Sequence, residues 1–292
     1  MVSPNVSVIV RTRNSAATLP ATLSSLRSQT VPVRVVVVDS GSTDATVSIA
    51  RDDADQLVQV PGESFSYGGA LNTGAEAAPG PVQGSLSSHT VLPRPDWVEI
   101  ALSHLDAGAV AVCGGDVDGG GRPLRAPLSA DAEYLSRHRY WGFTNTASLW
   151  RADVRSAHPF DETLVASEDQ EWSWRVVADG GVLVVDPRLT VSGSHRRTAG
   201  LKAYHQRMVR EIRALEHLRP LAHYPLWQGV ADWVRSEPVD PFVSRVRPFG
   251  RTRLLDIAAR WDAGRQQRHG KVPQPRTRHR ASSGNGEVRA DV

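Results

Sequence analysis

Val33-Arg34-Val35-Val36-Val37-Val38-Asp39-Ser40-Gly41-Ser42-Thr43-Asp44 decides the fold. Four consecutive valines, Val35 to Val38, leave a strand without a polar face. Such a strand is covered on both sides, as in a parallel sheet flanked by helices. An acid closes it, a small polar loop follows, and a helix is expected at the loop's end. Ligands of open α/β sheets gather outside the carboxyl ends of the strands. Asp39 and Ser40 therefore stand where a ligand is expected.

Working outward, Val6-Ser7-Val8-Ile9-Val10 is a first strand ending in the polar turn Arg11-Thr12-Arg13-Asn14. Thr18 is a candidate cap for a helix with Pro20 in its first turn and leucines at helical spacing. Asp44 or Thr43 is expected to cap a second helix with Val47 and Ile49 facing inward. Leu57 to Val60 reads as a third strand. The order β-α-β-α-β with short connections predicts a parallel sheet. Gly68-Gly69-Ala70-Leu71-Asn72-Thr73-Gly74 opens an alanine-rich helix, Val82 to Leu86 is a fourth strand, and Pro95-Asp96-Trp97 starts another helix. A strand over Val110 to Cys113 precedes a Gly- and Pro-rich loop from Gly114 to Pro127. Gly142 to Trp150 reads as a strand across a different face. A helix is expected over Ser167 to Ala178, a strand over Val182 to Val185, and further helices over Leu201–Leu218, Trp227–Val234 and Leu254–Trp261.

The chain has 292 residues, 40% hydrophobic and 22% charged, with a net charge of +3. That is enough for one large α/β domain with an extension, or two small ones. The mild basicity suits an anionic ligand and does not call for nucleic acid. The single cysteine, Cys113, permits no internal disulfide and suggests a reducing compartment. No charged-then-apolar leader and no run of roughly 20 apolar residues is read. These features point to the cytoplasm. Arg265, Arg268, Lys271, Arg276, Arg278 and Arg280 sit among Pro, Ser and Gly with no acid between them. This predicts a solvated, disordered tail, with loose contact to the inner face of an anionic membrane as the alternative.

Six clusters carry candidate chemistry, each with a structural alternative. Asp39 and its loop could accept hydrogen bonds from a base or ribose, or could be turn chemistry alone. Arg11 and Arg13 could face a diphosphate or simply meet solvent. The Gly68–Gly74 run could present free N–H groups to an anion or permit close helix packing; no Gly-Lys-Ser/Thr follows. His89, in Ser87-Ser88-His89, could hold a divalent metal or be an ordinary hydrogen-bonded histidine. Ser167 and Gln170 could form a capping box, with Glu168, Asp169 and Glu171 as acids favoured by the helix dipole. An Asp there that faces a cleft is equally a general base, which the dipole would tend to keep ionised. His195, with Arg196 and Arg197, could be a second metal ligand, a phosphate contact or a basic surface cluster.

In this order the pieces resemble the family 2 glycosyltransferases of the GT-A fold. The resemblance runs from about Val6 to His195 and is most specific at Val38–Thr46 and Ser167–Arg175. The Phe65–Gly74 loop and Glu171-Trp172-Ser173-Trp174-Arg175 resemble the rhamnosyltransferase-like branch. It implies an α/β, Rossmann-like, mostly parallel sheet with helices on both faces and a helical C-terminal extension. The divisions are residues 1–198 for the GT-A domain, 199–262 for the helical extension and 263–292 for the basic tail. It implies an inverting transferase using a nucleotide-diphosphate sugar, here a UDP- or dTDP-sugar, and a saccharide, lipid-linked or small-molecule acceptor. Thr12, Arg13 and Asn14 would line the nucleotide pocket, with Asp39 and Ser40 at the base or ribose. Gly69 and Asn72 would lie near ribose and diphosphate, and Ser87 and Ser88 beside the donor. Asp169 would be the base, with Glu168 supporting it or touching the sugar or acceptor.

One departure stands out. The family's Asp-x-Asp metal motif is replaced by Ser87-Ser88-His89. His89 and His195 are then the candidate metal ligands, for Mn²⁺ rather than Mg²⁺, since Mg²⁺ prefers oxygen. Lost activity, with the chain a non-catalytic or metal-independent nucleotide-sugar binder, is the alternative. A nucleotidyltransferase is disfavoured because Arg11–Asn14 is not a glycine- and lysine-rich loop.

Overall fold

The computed structural model describes residues 5–116, 118, 123–138, 141–193, 201–215, 258–259 and 261–262. The first half alternates strand and helix: β1 (Val6–Thr12), α1 (Leu19–Arg27), β2 (Val33–Asp39), α2 (Thr46–Asp53), β3 (Gln56–Gln59), α3 (Tyr67–Ala77) and β4 (Val82–Ser87). The second half is α4 (Trp97–Asp106), β5 (Ala111–Gly114), β6 (Leu128–Ala130), α5 (Ala132–Arg137), β7 (Ala147–Arg151), α6 (Ala152–Ala157), α7 (Glu168–Ala178), β8 (Leu183–Asp186) and α8 (Leu201–Leu215). The strands form one sheet in the order β3-β2-β1-β4-β7-β5-β8-β6. It is parallel except for β7, antiparallel to β4 and β5, and β6, antiparallel to β8.

The valine strand behaves as its composition requires. Val35 and Val37 point into one core with Leu19, Leu23 and Leu26 of α1 and Val98 and Ala101 of α4. Val36 and Val38 point into the other, with Leu71 and Ala75 of α3 and Trp172 and Val176 of α7. Side chains alternate across a strand, so only an uninterrupted apolar run serves two cores. α3 lies close to the sheet because Gly74 has no Cβ: one built there would stand 2.5 Å from Ile9 Cγ2 and 2.9 Å from Val38 Cγ2.

Several expectations need correction. The Gly142–Trp150 strand begins only at Ala147 and lies within the same sheet. Its Leu149 and Trp150 enter opposite cores, so it is central rather than across another face. β6, α5 and α6 were not anticipated; β6 has three residues, too few for a period. Thr18 occupies the cap position of α1 without capping it; its hydroxyl donates to Ser88 O at 2.8 Å. Ala45, not Asp44 or Thr43, is at the cap of α2, although Asp44 Oδ1 accepts the Thr46 N–H at 3.0 Å. The inward residues there are Thr46 and Ala50, with Val47 and Ile49 half-buried. Ser167 makes no capping box: it is left-handed, with φ 63°, and its side chain accepts no cap bond. The predicted Trp227–Val234 helix and the basic tail lie outside the described residues.

Candidate active site

The antiparallel insertion of β7 makes the site. Leu86 near the end of β4 pairs with Ala147 at the start of β7. The polar segment Gly142–Thr146 is thereby delivered to the carboxyl ends of β1 and β4. A cavity of about 380 Å³ opens there. Its wall takes Arg11 from β1, Ser87 and His89 from the end of β4, Gly142–Thr146, and Ser167–Gln170 at the start of α7. Tyr67 and the α8 residues Arg207, Arg210 and Glu211 complete it.

Two adjacent carboxylates are held in different ways. Glu168 is 5% exposed, and its Oε1 accepts from Arg11 Nη1 at 3.1 Å and from Asn145 Nδ2 at 3.4 Å. Arg11 also donates to Tyr67 O at 3.4 Å, and its guanidinium carbon lies 5.3 Å from the Tyr67 ring centroid. Asp169 accepts two backbone N–H groups, Asn145 on Oδ2 at 3.0 Å and Gln170 on Oδ1 at 2.9 Å. Burial pushes the Asp169 carboxyl up to about 7, with the charge of Glu168 adding to it. The Asn145 and Gln170 N–H groups and Arg11 act against that rise. The helix dipole would tend to keep Asp169 ionised, but loss of water outweighs that tendency. A carboxyl poised near 7 matches the requirement of a general base at neutral pH.

On the nucleotide side, the loop after the valine strand is occupied with itself. Asp39 is 0% exposed. Its Oδ2 accepts the Gly41 and Ser42 N–H groups at 3.1 and 3.0 Å, and its Oδ1 accepts the Ser42 hydroxyl. Turn chemistry thus accounts for the hydrogen bonds of this carboxylate among the described residues. Ser40 is buried and donates through N–H and hydroxyl to Thr12 O. Asn14 is left-handed, with φ 49°; its Oδ1 accepts the Thr43 N–H at 2.8 Å, and its own N–H donates to Ser42 Oγ. The loops after β1 and β2 are therefore knitted into one rim. Thr12 is buried with no partner for its hydroxyl among the described residues, and Arg13 is exposed on the rim.

Gly69 and Asn72 are not in the cavity wall. Ser66 caps α3 by accepting the Gly69 N–H. The Asn72 amide is consumed by the loop after α6, donating to Phe160 O at 2.9 Å and Glu162 Oε1 at 3.1 Å and accepting from Phe160 N. In this structure the Asn72 side chain serves as a buried loop anchor, away from the wall of this cavity. Ser88 is likewise buried, its hydroxyl 2.9 Å from Ser15 Oγ. Of the residues expected to touch the donor or the metal, Ser87 and His89 reach the cavity; His195 lies outside the described residues. Among the described residues no group of three His, Cys, Asp or Glu side chains could hold a metal ion. Asn145, Arg207 and Arg210 were missed. Asn145 had one sequence signal, a polar Thr-Asn-Thr run leading directly into a buried strand.

The family model described as Glycosyl transferase family 2 matches residues 7–153. Glycosyltransferase AglE of Haloferax volcanii is 30% identical over 193 residues, covering 61% of this chain and 62% of AglE. The O-antigen chain rhamnosyltransferase RfbN of Salmonella typhimurium is 24% identical over 212 residues, covering 66% of this chain and 67% of RfbN. The chain thus spans less than two thirds of the length of AglE. Among solved structures, mannosyltransferase PcManGT from Pyrobaculum calidifontis, in complex with GDP-Man and Mn²⁺, matches with a TM-score of 0.55 at 19% identity. That match covers 90% of this chain and 70% of PcManGT, and the shared architecture is GT-A.

Proposed function

Because the chain belongs to glycosyl transferase family 2, we propose that it is an inverting glycosyltransferase moving a sugar from a UDP- or dTDP-sugar to an acceptor hydroxyl. The observation that carries this reading is Asp169: a carboxyl near 7, held by Asn145 on the wall of a cavity of about 380 Å³. The names of AglE and RfbN and the GDP-Man in the PcManGT complex support the reaction class. The working unit is residues 1–198, with 199–262 as an extension that includes α8, on the cytoplasmic side. Among the described residues no helix is long and apolar enough to cross a membrane.

In the proposed step, Asp169 takes the proton of the acceptor hydroxyl. The acceptor oxygen forms its bond to the anomeric carbon from the face opposite the diphosphate. The bond from that carbon to the phosphate oxygen breaks, and its electron pair leaves with the nucleoside diphosphate. Protonated Asp169 then returns its proton to water. Glu168, fixed by Arg11, holds the start of α7 and keeps a negative charge beside Asp169 that favours proton capture. The loops knitted by Asp39, Asn14 and Ser42 form the rim on which the nucleotide rests, through their backbone rather than through the Asp39 carboxylate.

Among the described residues the Mn²⁺ of PcManGT has no ready counterpart. Ser87-Ser88-His89 offers an imidazole and hydroxyls without a carboxylate, and Glu168 and Asp169 are engaged by Arg11 and Asn145. These residues do not fit a protein-held divalent site, so no step is drawn through the ion. The same triplet favours a second reading, a nucleotide-sugar binder without transfer. A panel of UDP-, dTDP- and GDP-sugars, with and without Mn²⁺, read by thermal shift and by nucleoside-diphosphate release, separates the two. Stabilisation by a donor with release that Asp169→Asn abolishes supports transfer. Stabilisation without release under any acceptor supports binding alone, and no shift with any donor overturns both.

A further inference from the structure

One part of the cavity wall has no role in the step above. Arg207, Arg210 and Glu211 of α8 reach the cavity, and Ala214 continues their stripe at spacings of three and four. The stripe faces the catalytic domain because α8 is held on several sides. Ala214 and Leu215 are buried, Leu215 in the core shared with Trp172. On the opposite face Val209 packs with Ala259, and His205 Nε2 lies 3.2 Å from Asp262 Oδ2. Arg207 is half-buried, its Nε 3.2 Å from Glu211 Oε1. Arg210 is exposed on the wall and makes no ion pair among the described residues.

A diphosphate entering this cavity needs positive charge. Arg11 is committed to Glu168 at 3.1 Å, and the β4 end supplies no carboxylate to hold a cation. The geometry points to α8 as the counter-charge. Arg210 binds the diphosphate of the donor, and Arg207 exchanges Glu211 for a phosphate oxygen when the anion arrives. This rests on the transferase reading and adds to it what takes the place of the Asp-x-Asp metal. The planar guanidinium matches phosphate oxygens in pairs and stays charged at any working pH. As the sugar–phosphate bond breaks, its electron pair remains on the phosphate oxygen. The added negative charge is met by α8, while the acceptor proton resides on Asp169; nothing is oxidised or reduced.

The test titrates the full chain with UDP, dTDP and GDP, and with the matching nucleosides, by calorimetry in EDTA and in Mn²⁺. Wild type is compared with Arg210→Gln, Arg207→Gln and Lys202→Gln, Lys202 being exposed on α8 and absent from the cavity wall. The preferred diphosphate is expected to bind in EDTA within about threefold of its affinity in Mn²⁺. Arg210→Gln weakens it about tenfold, as loss of a charge-assisted contact does. Arg207→Gln weakens it less, Lys202→Gln leaves it unchanged, and nucleoside affinity is the same in all four. Thermal unfolding of Arg210→Gln at the wild-type temperature shows that the fold is intact. Diphosphate affinity unchanged in both arginine variants, with or without Mn²⁺, overturns the role of α8 and leaves the transferase reading standing. No diphosphate binding under any condition overturns both.

Discussion

Asn145 presents its backbone N–H to Asp169 Oδ2 at 3.0 Å, joining the segment that enters β7 to the first turn of α7. This bond favours the ionised carboxylate, while burial and Glu168 favour the protonated one, and the balance lies near 7. A base must be ionised to act. log kcat/KM for transfer is therefore expected to rise with unit slope below pH 7 and level off above it. A profile flat between pH 5 and 9 removes Asp169 as the base.

Stability and activity should part company at the same residue. The folded carboxyl titrates near 7 against a usual value of 3.8, so the native state binds more protons than the unfolded state between those values. Wild type loses stability as pH rises through that window, and Asp169→Asn does not. The melting temperature of the variant minus that of wild type should grow from pH 4.5 to pH 8. Its transfer rate at pH 8 should fall by about 10²- to 10⁴-fold. A difference that stays constant with pH contradicts the raised carboxyl.

Arg11 ties the sheet to α7, and its Nη1 meets a Glu168 side chain only 6% exposed. Removing it strands a buried carboxylate, which costs about 3 kcal/mol or more. Arg11→Met should therefore be strongly destabilised. It should also move the inflection of the rate profile to higher pH, because the Arg11 charge holds Asp169 down. Arg11→Lys keeps the charge and should restore the inflection more fully than the stability. An inflection that stays put in Arg11→Met, measured below its melting temperature, uncouples Arg11 from the base.

The same physics separates what the sequence disclosed from what it withheld. β1 to β4 were legible because Val35 to Val38 has no polar face and each short βαβ crossover limits the topology. β7 was legible as a strand but not in its place, which depends on pairing with β4 and β5, distant in the chain. Glu168 and Asp169 were visible as acids opening a helix, yet the perturbation of Asp169 arises from packing. Asn145 escaped notice because an Asn before a strand is ordinary until β7 is inserted beside β4. The loop-anchoring bonds of Asn72 were hidden for the converse reason. Its neighbours Gly68 and Gly74 pointed to a ligand, while their work is close packing against Asp161 and Ile9.

That packing role has its own test. A methyl at position 74 would press on Ile9 and Val38 at 2.5 and 2.9 Å. Gly74→Ala should lower stability by about 1–3 kcal/mol through overpacking. Nucleotide affinity, measured well below the melting temperature, should hardly change. A large loss of affinity at unchanged stability would return the glycine run to the donor site.

Asp39 offers the sharpest contrast between a ligand contact and a loop anchor. Its carboxylate accepts from Gly41 N, Ser42 N and Ser42 Oγ at a fully buried position. Asn can keep this arrangement, its oxygen on the two N–H groups and its amide on the Ser42 hydroxyl. Ala removes the acceptor of all three part-buried bonds, each worth about 0.5–1.5 kcal/mol. Asp39→Ala should therefore lose stability far beyond Asp39→Asn. Nucleotide affinity should follow stability, since the rim that Asn14 and Ser42 share depends on the same loop. A direct contact to base or ribose would behave otherwise. Both variants would lose affinity alike, and Asp39→Asn would do so at an unchanged melting temperature. Calorimetry on the two variants beside their melting curves decides between these outcomes.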